Sequence, residues 1–516
     1  MTLALAACGS TAPAAPAAPE ASAGAPAAEE TSAPEAGAVK DGELVVAENP
    51  EDWPKVVVEV CSFTDTQEHE QEIEDALNEY LVSINAGVQC DMLPIAIGDR
   101  ATQLTLMLTD PDNPIDVFGW RWYSTVVNMY KNGQVICLDK YKDVYPELWE
   151  IYPEDIYRIC QVNGELYSMP SGGCFGQQDV YVLRKDIAEE IGVMDLVDTK
   201  ITVEQLEDIM AKAEAAHPEM CWQGDTALLP FMGIDNLGDD KWLGSLVNRG
   251  LDETEIVNIY DTELFHDYVT MCKDWADKGY LVDDPLNNSY AGTTLVNDGI
   301  GGGYMFEAFD MEYAYTLMQQ QIPQYEMVVF QLTDWVGTNS CVYNGWNISA
   351  VCKNPDAAMK MLYLMYTDEN VLRYFSLGIE DLTYVMHEDG AAYYPEGKDM
   401  NTNGWNCSAV WFYPNETLSI PFETTYLTMY DDMKAINQDP DRKYSNAMGF
   451  IFDDTAVFDQ VKACDAIVDE YREALMMGQV DVESSLESFR SELKAAGIDE
   501  IIAAMQEQYD AFLASK

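Results

Sequence analysis

Four short segments gather side chains able to hold a small polar molecule: Phe63-Thr-Asp65, Trp120-Arg-Trp-Tyr123, Gly301-Gly-Gly-Tyr-Met-Phe-Glu307 and Tyr343-Asn-Gly-Trp-Asn347. The Trp and Tyr rings offer flat apolar faces, and Asp65, Arg121, Glu307 and Asn344 place hydrogen-bonding groups beside them. A sugar ring presents a C–H face to the one and hydroxyls to the other, so this mixture suits a carbohydrate. The candidate ligand-binding residues are Asp65, Trp120, Arg121, Trp122, Tyr123, Tyr304, Glu307, Asn344 and Trp346, with Trp405 and Trp411 as further candidates. The competing reading of Trp120, Trp122 and Trp346 is core or inter-lobe packing.

Covalent chemistry finds less support. Four scattered histidines (His69, His217, His266 and His387) argue against a histidine metal cluster or a Ser-His-Asp triad. Gly299–Gly303 lacks the Lys-Ser/Thr of a phosphate loop. Asp110–Asp116 and Asn437–Asp441 lack the EF-hand glycine and its twelfth-position Glu. No catalytic residue, metal site or cofactor is therefore expected. The rival from another class is a secreted glycoside-active enzyme, which needs two carboxylates facing each other across a cleft.

The elements that must position these residues alternate between strand and helix, the pattern of an α/β architecture. Val56–Phe63, Ile115–Gly119, Glu165–Pro170 and Asp179–Arg184 read as strands; Gln67–Leu81 and Ala101–Leu108 read as helices. Gly301–Glu307 reads as a loop opening a helix. Thr202-Val-Glu-Gln205 is a capping box, and Asn354-Pro355 supplies an N-cap followed by proline at the first helical position. Leu486, Phe489 and Leu493, then Ile501, Met505, Tyr509 and Phe512, form core-facing stripes on either side of Gly497.

The chain opens on Leu5-Ala-Ala-Cys8, a lipobox in which Cys8 would carry a thioether-linked diacylglycerol. No basic stretch precedes it, so residues 1–8 read as a truncated signal peptide. Residues 9–50 form an Ala/Pro-rich tether without large apolar side chains until its end, expected to be disordered. No stretch offers ~18 consecutive apolar residues, so the only membrane attachment expected is the lipid. Net charge is −62, and the first 50 residues hold seven acids against Lys40 alone, so the folded part is strongly acidic. Such a surface repels nucleic acid. Twelve cysteines, dispersed and without C-x-x-C pairs, read as small core hydrophobes rather than a disulfide scaffold.

From about Lys55 to the end the motifs follow one order. Ile115-Asp-Val-Phe118, Val162-Asn-Gly-Glu-Leu-Tyr-Ser-Met-Pro170, Val182-Leu-Arg-Lys-Asp186 and Lys353-Asn-Pro-Asp-Ala-Ala-Met-Lys360 resemble those of the extracellular solute-binding lipoproteins of ABC importers. The likeness is to the maltose-binding-like family 1 cluster. Gly378-Ile-Glu380 with Tyr384 is similar to the GIE-type C-terminal region of a Gram-positive subgroup, although Asp381 stands where that subgroup has glycine.

The resemblance implies a two-lobed, periplasmic-binding-protein-like (type II) α/β fold with a hinge and central cleft. Lobe 1 is expected from 51–178 plus 330–380 and lobe 2 from 179–329 plus 381–516. The crossings fall near Gln177–Asp179, Val328–Phe330 and Gly378–Asp381. The implied protein is not an enzyme. It is a monomeric receptor, palmitate-bearing and lipid-anchored on the outer face of the cell membrane. It would deliver a sugar or oligosaccharide to the permease subunits of an importer by hinge closure. A peptide-binding or sensory receptor on the same fold is the alternative.

Overall fold

A computed structural model describes residues 39–40, 43–62, 67–112, 114–224, 233–238, 241–287, 292–339, 344–405 and 410–516. Cys8, the tether up to residue 38, Asp65 and Tyr343 lie outside the described residues. Among those residues no helix is long and apolar enough to cross a membrane.

The first sheet grows around β1 (Lys55–Ser62), whose Val56, Val58, Val60 and Cys61 are buried. A run of β-branched residues covered on both faces suits a central parallel strand. β1 pairs in parallel with β2 (Gln89–Ala96) along its whole length and with β3 (Val117–Gly119) at Val58 and Val117. The sheet order is β2-β1-β3-β8-β4, where β4 is Met169–Pro170 and β8 is Gly345–Ile348; β8 runs antiparallel to both its neighbours. α1 (Glu70–Ser83), α7 (Pro355–Thr367) and α8 (Glu369–Ser376) bury Ile73, Leu77, Met361, Leu362, Met365 and Phe375 in one core with β1. The Asn354 side chain accepts the Ala357 N–H, and Pro355 occupies the first turn, as the sequence indicates.

The second sheet has three antiparallel strands in the order β6-β5-β7: β5 Gln178–Arg184, β6 Gly303–Ala308 and β7 Met327–Gln331. Side chains alternate between its faces. Val180, Val182 and Val329 pack under α6 (Met311–Gln321) with Ala314 and Met318. Tyr181, Leu183 and Phe330 pack with α4 (Val203–Ala216), α5 (Glu263–Asp277) and the C-terminal helices α9 (Phe458–Met476), α10 (Val482–Ala496) and α11 (Ile498–Ser515). Thr202 and Gln205 form the expected capping box at the start of α4. The α/β expectation holds, with separate cores on the two sheets.

The chain leaves the first sheet after Pro170, enters the second at Gln178, leaves it after Gln331 and re-enters the first at Gly345. Val328–Phe330, expected at a crossing, lies within β7 opposite Leu183, Val182 and Tyr181. Gly378 abuts Ile73 and Trp405 inside the first core. Residues 381–422, expected with the second lobe, contribute Tyr384, Ala392, Trp405, Phe412 and Tyr413 to that first core. Their aromatic rings fill the space beside Trp346, which edges onto Phe412 at 5.5 Å and stacks with Tyr413 at 6.0 Å.

Gly301–Glu307 runs into strand β6 rather than a helix. Its glycines are set by packing: a Cβ at Gly302 would meet Trp222 at 2.4 Å, and one at Gly303 would meet the Val182 carbonyl oxygen at 2.5 Å. Asp381 adopts φ +66°, the left-handed conformation for which glycine is suited.

Candidate functional site

Strand β3 ends at Gly119, and the chain turns sharply at its C-terminal edge, where open α/β sheets place their ligands. Trp122 takes φ +57° and is 47% exposed. A bulky residue in that region costs ~1–3 kcal/mol and persists only where its surroundings hold it. The holding partners are Arg121 and Trp411. The Arg121 guanidinium carbon lies 4.6 Å from the Trp122 ring and 5.0 Å from the Trp411 ring, which meet edge to face at 5.6 Å. The Arg121 N–H donates to Asn344 Oδ1 at 3.0 Å, and Asn344 Nδ2 donates to the Phe412 carbonyl at 2.6 Å. Buried Asn344 thereby ties the 119–122 turn to the segment carrying Trp411.

The remaining sequence candidates occupy other environments. Trp346 lies within β8, fully buried, its Nε1 donating to the Phe412 carbonyl at 3.0 Å. It is a core residue, because the parity of β8 turns it into the first core rather than toward solvent. Tyr304 is also core: its ring packs in the cluster under α6, and its hydroxyl donates to Met318 Sδ. Tyr123 is half-buried, with its hydroxyl accepting from Gln134 Nε2 at 2.7 Å. Trp405 is buried in the first core.

Glu307 reaches solvent at the end of β6, yet the protein around it raises its carboxyl pKa against the lowering effects of Gln177 and Arg249. Nearby, buried Asp179 receives Arg249 Nη2 and the Thr333 hydroxyl, the latter at 2.8 Å. Arg249 also donates to the Asp334 carbonyl at 3.1 Å. This cluster joins the start of β5 to the segment leaving β7. No local motif signals it, since Arg249 lies 70 residues from Asp179 in sequence.

A cavity of about 520 Å³ opens beside Trp120. One wall is Trp120, Ile159 and the start of α3 (Val126–Lys131); the other is Leu237, Leu243, Phe450, Val461, Ile501 and Met505. Lys241, Asn339, Lys462 and Asp465 are among its polar groups. At its rim Lys131 Nζ pairs with Asp453 at 2.8 Å and Asp454 at 3.2 Å. That pairing holds the Asp453 carboxyl down at about 2. Among the described residues no group of three His, Cys, Asp or Glu side chains is arranged to hold a metal ion.

Residues 446–514 match DUF3502, a domain of unknown function. A carbohydrate ABC transporter substrate-binding protein of Streptococcus pneumoniae serotype 4 is 20% identical over 468 residues, 86% of this chain and 89% of that protein. Two solved structures are among the similar ones. The N-glycan transport solute binding protein (NgtS) of Streptococcus pneumoniae superposes with TM-score 0.74 at 18% identity, covering 89% of this chain and 99% of its own. The same protein in complex with Man5GlcNAc gives TM-score 0.66 at 17% identity, covering 90% and 99%. The fold is the two-lobed α/β fold of solute-binding proteins, and the resemblance read in the motifs is borne out.

Proposed function

We propose that this protein is the receptor of a carbohydrate ABC importer, and that it captures an oligosaccharide between its lobes. The observation that carries this reading is the Trp122–Arg121–Trp411 clasp: an exposed Trp, held in a strained conformation at a strand's C-terminal edge, with a guanidinium packed beside two indoles that meet edge to face. Exposed indole faces with polar groups beside them suit sugar rings. The names of the relatives, a carbohydrate substrate-binding protein and an N-glycan transport protein, support the same class of solute.

The lobes are best drawn by their cores. Lobe 1 takes about 51–170 and 345–422 with the first sheet, and lobe 2 takes about 178–331 and 450–516 with the second. The joining segments are then 171–177, 332–344 and 423–449. The DUF3502 match lies almost wholly in lobe 2 and lends Phe450, Val461, Ile501 and Met505 to the cavity wall. A solute that touches both lobes binds the closed arrangement better and shifts the balance by that difference. The permease subunits would then receive the closed monomer, kept at the outer face of the membrane by a lipid on Cys8. Solute contacts are assigned to Trp120, Arg121, Trp122, Trp411 and Glu307. No reaction on the solute is proposed.

Calorimetric titration with Man5GlcNAc, milk oligosaccharides and short peptides tests this. Saturable binding of a glycan without release of reducing sugar is expected. Binding of peptides alone, or turnover of any glycan, would reject it. Mass spectrometry of the protein expressed with its signal peptide in a Gram-positive host tests for a diacylglyceryl group on Cys8.

A further inference from the structure

Beneath the Trp122–Trp411 clasp lies an ion pair between Glu59 of β1 and Arg100 at the start of α2 (Arg100–Met107), both side chains 0% exposed. Arg100 Nε donates to Glu59 Oε1, and Nη2 donates to Oε2 at 3.0 Å. The remaining contacts converge on the clasp's own backbone. Nη2 donates to the Gly119 carbonyl at 2.9 Å, and Nη1 donates to the Arg121 carbonyl. Glu59 Oε2 accepts the Gly119 N–H at 3.0 Å. The Phe412 ring covers the guanidinium at 4.9 Å. Gly119 to Arg121 lead into Trp122, and Phe412 follows Trp411 directly.

Taking two ions out of water costs several kcal/mol each, and apolar packing of the same volume stabilises a core as well or better. Stability is therefore a poor reason for this pair to occupy a core position. Its bonds instead fix the path of the turn that sets Trp122 at φ +57°. Fixing a binding surface beforehand lowers the ordering cost that a ligand must otherwise meet.

We propose that Arg100 and Glu59 are positioning residues, which hold the Trp122–Trp411 clasp in its binding geometry before solute arrives. The inference rests on the site assigned above. Its test keeps the two claims apart. Arg100→Met alone strands a buried carboxylate, so the double variant Glu59→Gln/Arg100→Met, neutral throughout, is the one to measure. Protein labelled with 5-fluorotryptophan gives one fluorine line per Trp, and Trp122→Phe and Trp411→Phe assign the two lines of interest.

In the double variant the Trp122 and Trp411 lines should shift or broaden, while those of Trp222 and Trp275 in the second core stay put. Affinity for Man5GlcNAc should fall at least tenfold with the melting transition still cooperative. Unmoved Trp122 and Trp411 lines, or wild-type affinity, would overturn the proposal. Lines that move in a protein whose wild type binds no glycan support the positioning role and reject the oligosaccharide reading.

Discussion

Both carboxylate oxygens of Asp235 accept the backbone N–H of Asn339, at 3.1 and 3.2 Å, with no exposure to solvent. Asn339 lies on the segment that carries the chain from β7 back to β8, and Ser445, also hydrogen-bonded to Asp235, lies at the next passage between the sheets. Among the described residues, Tyr509 of α11 feels the Asp235 charge. Burial dominates and pushes the Asp235 carboxyl up to about 7. An unfolded Asp titrates near ~3.9, so between these values the native state binds the extra proton. Stability from this group is therefore present at low pH and is lost as pH rises through about 7. Glu416, buried and likewise raised to about 7, adds with the same sign.

Asp235→Asn keeps an acceptor for the Asn339 N–H and removes the titration. Urea midpoints at several pH values between 5 and 8 should show a flatter decline than the wild type. The difference in slope is bounded by one proton, ~1.4 kcal/mol per pH unit. Parallel wild-type and variant profiles would show that Asp235 does not titrate there.

Asp381 should prefer to be glycine. It takes the left-handed φ of +66°, its N–H donating to the Tyr384 carbonyl at 2.8 Å. Asp tolerates this region better than most residues, so Asp381→Gly should change stability by less than ~1 kcal/mol. Asp381→Val places a β-branched side chain there and should cost ~1–3 kcal/mol. Thermal melting of the two variants checks this, and equal melting temperatures would argue against the conformation.

Much of the scaffold was legible because its signals are local. Thr202 and Gln205, Asn354 and Pro355, and the Leu486–Phe489–Leu493 stripe each act within a turn or two of helix, and the structure places each as read. The site was legible only in part. Trp122 and Trp346 look alike in sequence, each beside polar residues at a strand. What separates them is parity within β8 and a carbonyl 66 residues away at Phe412, neither of which a local pattern records. Arg100 and Glu59, 41 residues apart, form their pair only once α2 docks on β1. The glycines at 301–303 read as a ligand loop because the groups they accommodate, Cys221 at Gly301, Trp222 at Gly302 and Val182 at Gly303, are distant in sequence.

That contrast is measurable. Trp346→Ala removes a fully buried indole and its hydrogen bond, and should destabilise by ~3–5 kcal/mol. Trp122→Ala removes an exposed ring and should leave the melting temperature within a degree or two while weakening glycan binding at least tenfold. Calorimetry and thermal melting on both variants separate the roles. A Trp122→Ala protein that binds as tightly as the wild type would remove Trp122 from the site.

Gly176 sits on the segment between Pro170 and Gln178, where a Cβ would lie 2.2 Å from the Trp335 ring. Trp335 is on the second passage between the sheets, edge-on to Tyr444 at 5.5 Å and covered by Arg442 at 5.0 Å. The indole is thus held on several sides and cannot yield by a rotamer change alone. Gly176→Ala should therefore overpack this point, costing ~1–3 kcal/mol. Trp335→Phe shortens the ring and makes room, so the double variant should recover part of the loss. A double-mutant cycle on denaturant midpoints reads the coupling, expected between ~0.5 and 3 kcal/mol for residues in direct contact. Simple additivity would mean that the two passages are not packed against each other as described. If they are, and if solute capture works by the hinge closure proposed above, Gly176→Ala should also alter glycan affinity, because Gly176 lies in one of the proposed joining segments.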